Sequence, residues 1–220
     1  LLVWDSPDCP ELQRAGDSAP GGRGEGLSRP LLGMVLLSAF LTGGPCGPGF
    51  SHLTVLYTSA GFSSGTAALL MSYLGLVLIA AKVLYGWLSD RLGSRMANSL
   101  IFGVFLAGFA LCCLAPTRSL PLAAAAITLT GLGMPLSSVT LSVWAGDLSA
   151  PEDYDRLVKW LSSAYMLGSL VTGPVPGLLA DRFGGSYVPA YGLFLFFLLI
   201  SMLLIQTVYR RTGVGGRPQR

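Results

Sequence analysis

The chain has 220 residues, of which 52% are hydrophobic and only 11% charged; its mean hydropathy is +0.62 and its net charge +3. Soluble domains carry about 25% charged residues, so the composition excludes a water-soluble globular fold, and a charge of +3 gives no reason to expect a nucleic-acid partner. The apolar residues fall in long blocks, which makes a bilayer the solvent and membrane lipids the first partners.

Residues 1–30 are polar and rich in Gly, Pro, Asp and Arg, and are predicted to be a flexible segment or linker. The chain opens on Leu1 rather than Met, and no basic stretch precedes a long apolar core, so a signal peptide is not expected and a lost upstream segment is. Apolar spans follow at 31–58, 66–88, 97–115, 121–143, 157–180 and 188–209, forming a six-helix domain over 31–209, and a basic tail occupies 210–220. Each span reaches the roughly 20 residues that cross a ~30 Å hydrocarbon core. In the first, the run Gly43-Gly44-Pro45-Cys46-Gly47-Pro48-Gly49 is expected to bend the helix, because Pro45 and Pro48 carry no N–H. In the fifth, Gly173, Pro174 and Gly177 are expected to do the same, as are Gly131, Gly133 and Pro135 in the fourth. Cys9, Cys46, Cys112 and Cys113 form no C-x-x-C and no metal spacing, and no disulfide or metal site is expected of them.

Charge placement orients the spans. Eleven Lys and Arg fall on the side of both termini, and only Arg118 and Arg182 on the other; Lys82 lies within a span. By the positive-inside rule both termini are predicted to be cytoplasmic. There is also an internal repeat: Gly86-Trp-Leu-Ser-Asp-Arg-Leu-Gly-Ser94 recurs 91 residues later as Gly177-Leu-Leu-Ala-Asp-Arg-Phe-Gly-Gly185, identical at five of nine positions. Three spans separate the copies, which predicts an inverted repeat of three plus three helices, an architecture of many secondary transporters.

The segment Gly86-Trp87-Leu88-Ser89-Asp90-Arg91-Leu92-Gly93-Ser94-Arg95 resembles the cytoplasmic loop signature of the major facilitator superfamily, G-x-L-[SA]-D-R-x-G-[RS]-[RK]. In that family it follows the second helix of each six-helix half. The resemblance implies an all-α membrane protein, half of a twelve-helix fold, and the polar tract before span one makes it the C-terminal half. The missing N-terminal half, or a second copy of the chain, is then the partner that completes the cavity. Gly86 and Gly93 are expected to permit close packing and a tight turn, Asp90 to accept from a nearby helix N-terminus, and Arg91 and Arg95 to pair with acids or lipid phosphates.

Gly75-Leu-Val-Leu-Ile-Ala-Ala-Lys82-Val-Leu-Tyr-Gly86 resembles the eighth helix of the monocarboxylate porters and oxalate:formate antiporters, where a basic residue shortly before the loop signature binds substrate carboxylate. Lys82 stands at that place. The acid that the monocarboxylate porters carry four positions earlier is Leu78 here, which puts their proton-coupling scheme in doubt. Residues 144–160 and 185–191 also look like bacterial members of this branch, which implies a bacterial inner membrane.

Lys82 is the leading site residue. A charge at a helix centre costs about 2.5–3.5 kcal/mol on insertion scales, so it either holds an anion or snorkels to an interface roughly six residues, ~9 Å, away. His52, the only histidine, is a candidate proton relay or hydrogen-bond donor, against the plainer role of a solvated helix-end residue. Ser163 and Tyr165 on span five are candidate substrate hydrogen-bond donors. Lys159 lies only at the mouth of that span, which favours a monoanion over a dianion.

The function expected is secondary transport of a small organic anion, a monocarboxylate, by alternating access, coupled to protons or to a counter-anion. Two alternatives stay open: a proton-coupled exporter of drugs or amphiphiles, and a non-transporting six-helix sensor or fragment. No enzyme and no cofactor are expected, since there is no Ser-His-Asp set, no G-x-x-x-x-G-K-[ST] loop and no metal cluster.

Overall fold

Prolines near the start of three apolar runs, and left-handed glycines after two others, set where the helices begin and end. The structure, a computed structural model, describes residues 27–214. The predicted linker therefore lies outside the described residues up to 26, Cys9, Arg14 and Arg23 included, as does the tail from 215. Helix α1 (Arg29–Gly44) starts with Pro30, where a missing N–H costs nothing. It passes into a π-helical turn, Pro45–Gly49, and then α2 (Leu53–Ser59). Helix α3 (Ser64–Leu92) begins on Ser63, whose Oγ accepts from Thr66 N at 3.1 Å, and ends at Gly93 with φ +82°. There follow α4 (Ser94–Cys112), α5 (Leu120–Gly133) and, after a 3₁₀ turn Met134–Ser137, α6 (Val139–Leu148). Then come α7 (Tyr154–Thr172), α8 (Val175–Arg182) and α9 (Val188–Thr212). There is no strand among the described residues.

Five helical stretches are long and apolar enough to cross a membrane: Arg29–Gly49, Ser64–Leu92, Ser94–Cys112, Leu120–Ser137 and Val188–Thr212. The predicted span 157–180 falls on α7 and α8, parted at Gly173–Pro174; Asp155, Arg156 and Lys159 make the first turns of α7 more polar than the other five. The tail predicted to begin at 210 begins later. Arg210 and Arg211 form the last turn of α9, where cations suit the helix dipole, and Gly213 at φ +67° closes it.

The packing has an internal two-fold pattern. Helix α1 lies against α7 and α9; α5 lies against α3 and α4; α4 and α9 meet each other. Exchanging α1 with α5–α6, α3 with α7–α8 and α4 with α9 maps the first four of these contacts onto one another and the last onto itself. The backbone repeats too: Gly93 and Gly184, 91 residues apart, both adopt positive φ, at +82° and +64°.

The core lies between α1, α4 and α9. Phe105, Phe109, Tyr191 and Phe194 interlock there with ring centroids 4.9–6.4 Å apart. The Tyr191 hydroxyl donates to Gly49 O at 2.7 Å, giving a partner to a carbonyl of the π turn. The hydroxyls of Ser38 on α1 and Ser201 on α9 lie 2.7 Å apart, each within bonding distance of the other's carbonyl, and their two protons are shared among these three contacts. Such reciprocal bonds hold helices together where no hydrophobic force does.

Candidate functional site

The buried residues of α3 are Ala67, Leu70, Leu74, Val77, Ala81 and Tyr85, a three-and-four spacing that defines one face. Lys82 follows Ala81 and so stands about 100° round the helix, exposed. Gly75 and Gly86 share its side, and nothing lies within 4 Å of where a Cβ would stand on either. Further round, Leu69, Leu76, Val83 and Trp87 are 73%, 68%, 73% and 51% exposed, the apolar surface expected against lipid tails. Lys82 therefore sits on an open strip between packed core and apolar flank. Because α3 continues to Leu92, it lies ten residues, roughly 15 Å, from the helix end rather than six. Among the described residues no carboxylate is within ion-pairing distance of it.

The other candidates stand on different helices. Ser163 on α7 is exposed and lines a cavity of about 410 Å³ with Leu36, Lys159, Trp160, Ala164 and Leu167. Tyr165 is buried, in the contact between α7 and α1 where its own carbonyl faces Gly43. The structure thus groups Ser163 with Lys159, not with Lys82: α3 packs on α4 and α5, whereas α7 packs on α1 and α6. His52 is half-buried at the other end of the bundle, stacked on Tyr187 at 6.0 Å between centroids. Its Nδ1 lies 2.8 Å from Pro48 O. A carbonyl only accepts, so Nδ1 carries a proton.

The bend residues take two forms. Gly44, Pro45 and Pro48 belong to a segment that stays helical as a π turn, since two prolines cannot complete the usual ladder. Gly173 and Pro174 part α7 from α8 outright, and Gly177 on α8 has open space at its Cβ position. In the loop signature, Gly93 makes the turn. The expected acceptor role of Asp90 is not realised: Asp90 is exposed, and α4 starts at Gly93 with no side-chain cap. Arg91 lies over the Trp87 ring at 4.8 Å instead of pairing with an acid, a contact that the i, i+4 spacing on one helix makes easy. Arg95 is half-exposed beside it.

A polar network near the chain-terminal end escaped the sequence reading. Tyr85 donates to Asn98 Oδ1 at 2.7 Å, Asn98 Nδ2 to the Tyr209 hydroxyl at 3.3 Å, and Tyr209 to Asp147 Oδ2 at 2.6 Å. It joins α3, α4, α6 and α9, and so both repeats. Thr140 and Trp144, one turn apart on α6, each bury a polar atom with no protein partner. Asn98, a lone amide in an apolar run, was the available signal.

The sequence pattern described as Major Facilitator Superfamily matches residues 26–219. The chain belongs to that superfamily. Within it, the chain is 28% identical over 162 residues to monocarboxylate transporter 12 of Rattus norvegicus, covering 73% of this chain and 33% of that protein. The Homo sapiens protein of the same name is equally similar, with 31% of it covered, and that of Xenopus laevis is 25% identical over 189 residues, 81% of this chain and 39% of that one. The chain thus spans about a third of the length of these curated relatives. They are animal proteins, so the expected bacterial source gains no support from them. Among solved structures, the peptide transporter POT in complex with sulfate superposes with a TM-score of 0.70 at 18% identity, over 94% of this chain and 44% of that one. At that identity the likeness bears on the fold: six helices forming half of a Major Facilitator protein.

Proposed function

We propose that this chain is one six-helix body of a secondary transporter that moves a monocarboxylate by alternating access, with Lys82 holding the carboxylate. The observation that carries this reading is the open strip on α3: a cation ten residues inside a helix, exposed, with no ionic partner among the described residues. A bare ammonium in a low-dielectric site attracts an anion strongly and needs no metal to hold it. The name shared by the animal relatives supports the choice of a monocarboxylate. A second six-helix body, from the same protein or a second copy, closes the cavity against α3 and α7. Both termini face the cytoplasm in this reading, which the eleven-to-two placement of cations supports. Movement is coupled to a proton or to a counter-anion.

The test is Lys82→Gln in the full chain, reconstituted in lipid vesicles and assayed for butyrate binding and uptake. A charge-assisted hydrogen bond is worth about 1.5–3 kcal/mol, so binding should fall roughly 10- to 100-fold while the unfolding temperature stays put. Unchanged affinity in Lys82→Gln refutes the assignment.

A further inference from the structure

We propose that Arg118, with Ser186, forms a second oxyanion site at the end of the bundle opposite Arg29 and Thr212, one that takes the carboxylate of a short organic acid. The choice of a carboxylate rests on the function proposed above; the oxyanion site itself does not.

Three connections meet there. The one between α2 and α3 supplies Ser59 and Ala60, the one between α4 and α5 supplies Pro116 and Arg118, and the one before α9 supplies Ser186. They enclose a cavity of about 260 Å³. Arg118 is held in an unusual way. Its φ of +53° places it in the left-handed region, alone among the described non-glycine residues. A side chain forced into that region marks a place where the fold gains something else. Its Nε donates to Ala60 O at 2.9 Å. Gly61, at φ +96°, leaves the space the guanidinium fills: a Cβ there would stand 2.6 Å from three of its atoms. The backbone bond and the glycine together fix the plane of the fork.

What remains free is the part that binds anions. The terminal nitrogens of Arg118 have no hydrogen-bond partner among the described residues, and no described carboxylate pairs with it. A guanidinium does not lose its charge, and its paired N–H groups match the two oxygens of a carboxylate. The Ser186 hydroxyl flanks the same cavity; that of Ser59 does too, but it gives its proton to Leu56 O at 2.9 Å. Helix α9 begins at its wall with no side-chain cap, adding partial positive charge. Cations are scarce at this end of the molecule, where only Arg118 and Arg182 stand. An arginine retained against that bias, locked in place and unpaired, is arranged to meet an anion before it reaches Lys82. The cavity volume suits a short acid.

The experiment is calorimetric titration of butyrate into the full chain in a detergent free of phosphate and carboxylate. Two classes of site are expected. Arg118→Gln should weaken one class at least 10-fold and spare the other; Lys82→Gln should do the reverse. Ser186→Ala keeps the guanidinium and should weaken the Arg118 class a few-fold, which guards against an Arg118 variant that fails to fold. Unchanged titration in both the Arg118 and the serine variants overturns the proposal. So does an Arg118-dependent signal that appears with added phospholipid and not with butyrate, which would assign the guanidinium to a lipid headgroup. If Lys82→Gln has no effect while Arg118→Gln does, this site stands and the Lys82 reading falls.

Discussion

Lys82 and Gly173 occupy equivalent positions, 91 residues apart, in the two three-helix repeats. In the first repeat the helix runs unbroken for 29 residues and presents a cation on an open strip. In the second it is parted at Gly173–Pro174 into α7 and α8. A second pair shows the same divergence: Gly168, where α7 meets α1, is the counterpart of Val77, where α3 meets α5. Gly168 lets backbone approach backbone, and a Cβ there would fall on Phe40 O. A Cβ at Gly131 would instead meet side chains, Val77 Cγ1 at 2.7 Å and Leu74 Cδ1 at 2.9 Å. One architecture thus yields a straight helix loosely packed, and a bent helix tightly packed. The repeat supplies the frame, and the substitutions within it decide which copy carries charge and which one bends.

The largest effect should come from tightening the tight contact further. Gly168→Val puts a branched side chain onto the Phe40 carbonyl, and backbone on a packed helix cannot step aside as a side chain does. Overpacking a core costs about 1–3 kcal/mol where side chains can adjust; here the cost should exceed that range and abolish the monodisperse folded protein. Gly131→Ala meets the side chains of Val77 and Leu74, which can shift in part, and should cost about 1–3 kcal/mol, measured by thermal unfolding in detergent. Equal losses for the two variants would show that the contacts do not differ in kind.

A smaller effect is expected where the repeats are joined. Tyr209 is the branch point of the network: it receives from Asn98 and donates to Asp147. Tyr209→Phe leaves buried Asn98 and half-buried Asp147 each short of a partner, a loss of about 1–3 kcal/mol. Tyr85→Phe removes one bond to Asn98 and should cost about 1 kcal/mol. Unfolding of both single variants and the double one gives the coupling directly. If Tyr209→Phe costs no more than Tyr85→Phe, the link between repeats does not run through Tyr209.

Much of the frame was legible in the sequence because it rests on local rules. Helices begin at Pro30, Ser63 and Pro189 and end at Gly93 and Gly213, residues whose backbone preferences act wherever they stand. The repeat was legible as a nine-residue motif, and its backbone counterpart, Gly184, falls inside that motif. Lys82 stood out because a charge inside an apolar run is costly in any fold. The rest depends on which faces meet. Tyr165 looks like an available hydroxyl in sequence, yet Gly43 and Gly168 draw α1 over it. Arg118 looks like a loop cation, and only the meeting of three connections gives it a cavity. Asp147 and Tyr209 are 62 residues apart, and nothing local ties them together.

The smallest effect separates the glycines that pack from those that do not. Gly86 and Gly177, the equivalent first residues of the two motif copies, both have open space where a Cβ would stand. Alanine is favoured over glycine within a helix by about 0.8–1 kcal/mol. Gly86→Ala and Gly177→Ala should therefore leave the chain as stable as before or raise its unfolding temperature slightly, in contrast to Gly168→Val. The informative comparison is with transport in the same variants. If stability holds while butyrate uptake falls, the bare backbone at 86 and 177 serves an approach from outside the six helices, as a second body closing on α3 and α7–α8 requires. If both quantities hold, those glycines serve only the turn that follows, and a surface for the second body proposed above must be sought at other positions.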